Sequence, residues 1–306
     1  MAISKIYRGR FAPSPTGPLH FGSLIAATGS YLQAKHQNGE WLLRIDDIDP
    51  PREQKGAADN ILRTLEDFGF EWDQDVLYQS HRLQRYQEAL DQLNLLQLTY
   101  PCTCSRTYIL NNTPENEGEL IYPGFCRNGP LIKAENPKQL IEYSTRLRCN
   151  NEVIHFNDVI QGQQHFDLEN HCGDFIIKRR DQHFSYQLAS GIDDAEQGIT
   201  EVVRGVDLLS STPNQLYIQK KLNLSSPQYC HLPIAVNKHG QKLSKQSHAA
   251  PIKAEDTVVL LFNTLNFLGQ MPPIDLINAN QKDIWSWAKT HWRLELVPSK
   301  SQQIFD

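Results

Sequence analysis

The spacing of apolar residues divides this chain before any single residue is interpreted. The segment KIYRGRFAPS reads as a strand that runs into a Pro/Gly-punctuated turn. From Leu19 through Lys35, Leu24, Ile25, Ala27, Tyr31 and Leu32 recur at helical spacing, and Trp41 to Asp46 reads as a second strand. Strand, helix of about five turns and strand form the parallel crossover unit of doubly wound α/β sheets. Two amphipathic helices follow, one carrying Ala57, Ile61, Leu62 and Leu65, the other Leu83, Tyr86, Leu90 and Leu93, with Trp72 and Asp73 between them.

From about Tyr100 to Val159 the pattern turns irregular, with clustered cysteines and the polar run NNTPENEGE, as in an insertion between two halves of a sheet. Regular patterning resumes in the strand candidates DFIIKR and ITEVVRG, with a helix around Tyr186 between them. An apolar strand HLPIAVN, the loop KHGQKLSKQSHAA and two helical stretches, Val258 to Leu268 and Ile274 to Trp292, complete the chain. The expected organisation is a first sheet half in residues 1–99, an insertion in 100–159, a second half in 160–224 and a signature loop with a helical appendage in 225–306.

Composition narrows the classes. At 306 residues, 40% hydrophobic and 21% charged, the chain is long enough for one large core or two smaller ones. A net charge of -5 argues against sequence-blind nucleic-acid binding over the whole surface, although a local basic face can coexist with it. MAISKIYRGRF has no apolar signal core and no run of about eighteen apolar residues occurs, so a cytoplasmic protein without membrane spans is expected. Six cysteines in such a chain read as thiols or metal ligands rather than as a disulfide framework.

Two stretches carry phosphate chemistry. In RGRFAPSPTGPLHFGSL a strand ends in turn-forming residues, and His20, Gly22 and Ser23 open a helix whose free N–H groups and positive end suit a phosphate. Gly22 allows close approach to the backbone, and His20 can donate to a phosphoryl oxygen. Far downstream, KLSKQ places Lys242 and Lys245 around Ser244, cations able to neutralise a splitting triphosphate. Taken singly, each also reads as an ordinary capped helix or a solvated charged loop. Asp46, Asp47 and Asp49 before Pro50-Pro51 fit a strand-end turn as well as a ligand site. Cys102, Cys104 and Cys126 supply three corners of a tetrahedral zinc site without a Cys or His for the fourth, so on residues alone zinc and plain thiols both stand.

P-S-P-T-G-P-L-H-F-G-S, R-I-D-D-I-D-P-P-R, E-V-V-R-G and K-L-S-K-Q, in this order from about Arg8 to Ser247, resemble the glutamyl-tRNA synthetase group. The resemblance implies a Rossmann-like class I synthetase catalytic domain with a zinc-bearing insertion and a small C-terminal helical appendage. His20-Phe21-Gly22-Ser23 stands where the group has His-Ile-Gly-His, and Lys242 to Gln246 where it has Lys-Met-Ser-Lys-Ser. By resemblance His20, Gly22, Ser23, Lys242, Ser244 and Lys245 bind ATP, with His20 and Lys245 stabilising charge on the phosphates and Mg²⁺ accompanying the nucleotide. Ser23 and Gln246 depart from the two signatures but leave His20 and Lys245 in place.

Glutamate selection needs cations for its carboxylates and an anion for its ammonium, because buried unpaired charge is costly. The resemblance supplies Arg10, Phe11, Ala12, Pro13, Ser14, Tyr186 and Arg204 for the pocket, with Arg10 and Arg204 toward carboxylates and Tyr186 for a hydroxyl contact. Asp46 stands where the group usually has Glu, one methylene shorter, and Ser190 where an Asn is often found. A sub-family of similar sequence closes a Cys-x-Cys, Tyr-x-x-x-Cys zinc site with the phenolate oxygen, which implies structural zinc on Cys102, Cys104, Tyr122 and Cys126.

The chain ends at Asp306, too soon after Lys245 for a further domain of about 100–150 residues, so no anticodon-binding domain is expected. The short members of the group activate glutamate without tRNA and place it on the queuosine wobble base of tRNA(Asp), and the resemblance implies that activity here, in a monomer. Two rivals are a truncated enzyme charging the 3′ end of tRNA(Glu) and an RNA-binding relic without catalysis.

Overall fold

The computed structural model describes residues 6–113, 121–132, 142–149, 151–238, 240–242 and 250–305. Strand β1 (Arg8–Phe11) lies parallel to β2 (Glu40–Ile45), the two joined by helix α1 (Phe21–His36), as the apolar spacing predicts. Helix α2 (Ala57–Asp67) leads to the short strand β3 (Leu77–Tyr78), which pairs in parallel with β2, and α3 (Leu83–Leu95) follows.

The stretch read as irregular carries regular structure: β4 (Thr99–Cys102), α4 (Arg106–Asn112), β5 (Ser144–Leu147) and β6 (Val153–Asp158). Strand β6 forms a hairpin with β7 (Gly162–Asp167), after which α5 (Leu168–His171) leads to β8 (Phe175–Lys178). The DFIIKR strand does not join a parallel sheet. It pairs antiparallel with β5, which also pairs antiparallel with β4. Four-residue strands such as TYPC and STRL are too short to show a period, so only pairing across the chain defines them.

The second parallel unit runs through α6 (Tyr186–Glu196), β9 (Glu201–Gly205), α7 (Thr212–Lys221) and β10 (Gln228–Leu232). Pro233 divides the expected HLPIAVN strand, since it has no N–H to continue a ladder, and β11 (Ile234–Val236) turns away to pair with β12 (Gln302–Ile304). Helices α8 (Thr257–Phe267) and α9 (Gln281–His291) pack on α1. No helix among the described residues is long and apolar enough to cross a membrane.

Helix α1 is buried on nearly all sides, and its buried Ser30 and Gln33 side chains are hydrogen-bonded. Ser30 Oγ accepts from the Trp41 indole (3.0 Å), and Gln33 Oε1 accepts from the Trp292 indole (2.9 Å). Gly29 in mid-helix is explained by contact: an added Cβ would lie 2.6 Å from Leu232 Cδ1, so glycine lets α1 close onto β10. Thr200 N–H donates to Arg8 O (2.9 Å), bringing β9 beside β1. The chain then progresses outward from β1 through β2 and β3 on one side, and from β9 through β10 on the other. A crevice between such diverging strands, at their carboxyl ends, is where open α/β sheets bind ligands.

Candidate active site

A cavity of about 300 Å³ opens at that point. Its walls come from the end of β1 and the turn after it (Phe11, Ala12, Pro13, Ser14), the start of α1 (His20, Gly22, Ser23), the end of β9 (Arg204, Gly205) and the link from β10 to β11. Arg10 and Tyr186 line it as well, and Lys242 stands at its edge, paired with Asp207 at 2.5 Å. Residues from both signature stretches thus meet around one space although more than two hundred positions separate them.

His20 is the N-cap of α1, and its Nδ1 accepts the Ser23 N–H at 3.3 Å. A neutral imidazole that accepts at Nδ1 carries its proton on Nε2, the tautomer needed to donate to a phosphoryl oxygen. Pro251 forms an antiparallel bridge with His20, and Ile252 N–H donates to Leu19 O (3.0 Å). Lys242 lines this cavity and Pro251 bridges to His20, which also lines it; Ser244 and Lys245, which lie between them in sequence, fall outside the described residues.

Two arginines approach the cavity with different partners. The buried Arg10 guanidinium is gripped by both oxygens of Asp194 (3.0 and 3.2 Å), so its charge is already compensated. Arg204, 4% exposed, has only neutral acceptors among the described residues: His231 Nε2 (3.1 Å), Tyr186 OH (3.1 Å), Gln215 Oε1 (2.9 Å), Thr212 Oγ1 (2.7 Å) and Leu208 O (3.3 Å). A buried cation solvated by neutral dipoles is a site for an anionic ligand.

Asp46 faces an adjoining cavity of about 450 Å³ that shares Ala12, Ser14, Tyr186 and Leu208 with the first. Its Oδ1 accepts from Arg44 Nε (2.7 Å), while its buried Oδ2 has no hydrogen-bond partner among the described residues. Burial raises the Asp46 carboxyl to about 6, against the pull of Arg44 and with the help of Asp193 and Asp194 nearby. Asp194 is held down to about 2: burial pushes it up, but Arg10 and Arg44 outweigh that.

Arg44 was not singled out from the sequence, yet it ties Asp46, Asp194 (2.7 Å), Gln197 (3.1 Å) and Ser190 (3.2 Å) together with no exposed surface of its own. One signal was visible: a lone arginine in the buried run EWLLRI requires an anionic partner. Ser190 thus serves the arginine that orients Asp46. Asp158 and His231 were missed because nothing in their local patterns marks them.

The sulfurs of Cys102, Cys104 and Cys126 all lie within 4.8 Å of one another, and Tyr122 OH is 3.4 Å from Cys102 Sγ and 3.6 Å from Cys104 Sγ. A tetrahedral zinc with ~2.3 Å bonds to sulfur and ~2.1 Å to oxygen spaces these atoms about 3.5–3.8 Å apart, so the donor set fits the ion. The Cys126 amide donates to Tyr122 OH (2.8 Å), and the Arg146 guanidinium stacks 3.6 Å from the ring centre, both favouring negative charge on the oxygen. Burial raises the Cys104 thiol to about 12. Cys126 is also raised by burial, but backbone N–H groups of Leu131 and Thr103 bring it down to about 7.

Comparison with known proteins agrees with this architecture. Residues 7–272 match the family of class I tRNA synthetases (E and Q), catalytic domain, and the chain belongs to that family. A glutamyl-Q tRNA(Asp) synthetase of Dechloromonas aromatica is 49% identical over 96% of this chain and 97% of its own length. Another, of Chromobacterium violaceum, is 47% identical over 98% of both. Among solved structures, the glutamate-tRNA synthetase of Elizabethkingia anophelis superposes with a TM-score of 0.80 at 25% identity, covering 99% of this chain and 68% of that one.

Proposed function

We propose that this chain is an ATP-dependent ligase that activates L-glutamate without tRNA and transfers it to the queuosine wobble base of tRNA(Asp). The observation that carries the glutamate reading is Arg204, a buried cation on neutral acceptors at a cavity that also receives the start of α1. One glutamate carboxylate lies against Arg204 and Tyr186, and the ammonium against Asp46 through the space the two cavities share. ATP takes the α1 end, where His20, Gly22 and Ser23 meet its phosphates and Mg²⁺ accompanies them, with Lys242, Ser244 and Lys245 supplied by the signature loop. Phe11, Ala12, Pro13 and Ser14 form the floor, and Arg10 supports it while bound to Asp194.

The α-carboxylate attacks the α-phosphorus of ATP in line, pyrophosphate departs, and donors already in position stabilise the growing charge. A hydroxyl of queuosine then attacks the activated carbonyl and AMP leaves. Cys102, Cys104, Tyr122 and Cys126 hold one structural Zn²⁺, which orders a segment with a small apolar core of its own. High identity over the whole length of proteins named glutamyl-Q tRNA(Asp) synthetase supports the choice of acceptor over the 3′ end of tRNA(Glu).

The experiment follows labelled glutamate. Glutamate-dependent pyrophosphate exchange is expected without tRNA, and transfer is expected to tRNA(Asp) only when queuosine is present, including tRNA whose 3′ end is oxidised with queuosine intact. Equal labelling of tRNA(Asp) lacking queuosine overturns the reading.

A further inference from the structure

Resting on the assignment of Arg204 to the substrate carboxylate, we infer that Asp158 and His231 are positioning residues that set the hydrogen-bond direction around Arg204 and so determine affinity for glutamate. The arrangement arises from strand register. Arg204 on β9 stands opposite His231 on β10, and Asp158 at the end of β6 pairs with Tyr229, two residues before His231. Three neighbouring strands thereby place a carboxylate, an imidazole and a guanidinium in one hydrogen-bonded row, all buried.

Direction in that row starts at Asp158. Its Oδ1 accepts from the backbone N–H groups of Gln161 (2.9 Å), Ile160 (3.1 Å) and His231 (3.2 Å), and Oδ2 lies 2.5 Å from His231 Nδ1. A carboxylate held on three N–H donors is an acceptor, so the imidazole proton resides on Nδ1. His231 Nε2 is then a lone pair, which accepts the Arg204 Nε–H at 3.1 Å and lies 3.2 Å from Thr212 Oγ1. The opposite tautomer directs an N–H at the guanidinium N–H, replacing attraction by repulsion and turning Arg204 away. A buried aspartate fixing a histidine tautomer is the logic of hydrolase triads, used here to orient a binding arginine rather than a nucleophile.

Burial and the Arg204 charge lower the His231 pKa, consistent with a neutral ring between the two charges. Because none of the Arg204 acceptors among the described residues is anionic, the row orients the guanidinium without cancelling the charge that a carboxylate ligand would meet.

The test is a cycle of substitutions on the full chain, read by pyrophosphate exchange. Asp158→Asn keeps the size and can still accept the backbone N–H bonds, but its amide donates toward His231 and moves the imidazole proton to Nε2. It is expected to raise the glutamate KM by about 10–100-fold, with the ATP KM unchanged and kcat changed far less. His231→Gln offers a carbonyl oxygen to Arg204 irrespective of residue 158, so adding Asp158→Asn to that background is expected to cost under about threefold. An unchanged glutamate KM in Asp158→Asn, or equal losses from Asp158→Asn in both backgrounds, overturns the relay; so does a parallel rise in the KM values for glutamate and ATP. Arg204→Ala separates the two layers. If it leaves the glutamate KM unaltered, the pocket assignment itself fails; if it raises KM while Asp158→Asn does not, only the relay fails.

Discussion

The crevice between β1 and β9 and the cysteine segment beyond β4 solve the same problem, holding polar groups in place, with very different resources. Around the crevice a large core, including Tyr31, Leu32, Trp41, Leu43 and Val203, surrounds a set of paired charges. Arg10, Arg44, Asp46 and Asp194 are fixed by one another, by Gln197 and Ser190, and by packing. Among the described residues the buried core of the cysteine segment is Tyr100, Cys102, Ile109, Tyr122 and Cys126, and three of those, Cys102, Tyr122 and Cys126, are proposed ligands. Where apolar area is scarce, a metal cross-link can supply the order that burial supplies elsewhere, since metal binding is then folding free energy. The comparison teaches that the crevice should tolerate loss of the metal, whereas the cysteine segment should be indifferent to changes in catalytic charge.

The largest expected effect tests the catalytic side. Lys245→Ala is expected to slow adenylate formation by about 10²–10³-fold, the scale of losing one transition-state donor, while the glutamate KM and metal content hold steady. Unaltered exchange kinetics would remove Lys245 from the chemistry.

On the other side, metal analysis should find about one zinc per chain, and Cys104→Ser should lose nearly all of it. Proteolysis is then expected to begin between residues 100 and 132, with pyrophosphate exchange largely retained. Full zinc in that variant rules out the cluster, and a matching collapse of exchange would dissolve the contrast between the regions.

A smaller effect is expected from Arg204→Ala: a rise in the glutamate KM of roughly 10–100-fold, corresponding to one charge-assisted hydrogen bond, with little change for ATP. A normal KM takes Arg204 out of the pocket.

The mildest test is pH. The Asp46 carboxyl sits at about 6, above its ordinary value, so its contribution to stability is complete at low pH and is lost as pH rises through about 6. Ammonium binding needs the ionised form and runs the other way, so the glutamate KM is expected to rise up to about tenfold per pH unit below about 6. Asp46→Asn should flatten that limb, and a limb of equal slope in the variant assigns the titration to another group.

The first parallel unit was legible because its strands and helix carry apolar residues at repeating intervals, with α1 visible from Leu24, Ile25, Ala27, Tyr31 and Leu32; of the second unit α6 and β9 were read, whereas α7 and the start of β10 were not. The pairing of β8 with β5 was not, because a four-residue strand looks the same whichever neighbour it joins. Within the site, His20, Arg204 and the cysteines stand out as residue types in distinctive surroundings. Arg44 showed only that it needs an anionic partner, and Asp158 and His231 carry no such mark, since their roles depend on partners supplied by distant strands and helices.

By itself, then, the sequence determined the first strand–helix–strand unit, the positions of α6 and β9, and which residue types are available for phosphate, carboxylate and metal. Those choices are local, set by periodicity, turn chemistry and the donors a side chain carries. Only the tertiary structure decided that Arg10 is occupied by Asp194 while Arg204 rests on neutral acceptors. Two arginines with the same chemistry differ here because their charge compensation depends on groups more than one hundred and fifty positions away for Arg10, and on the register of β9 against β10 for Arg204.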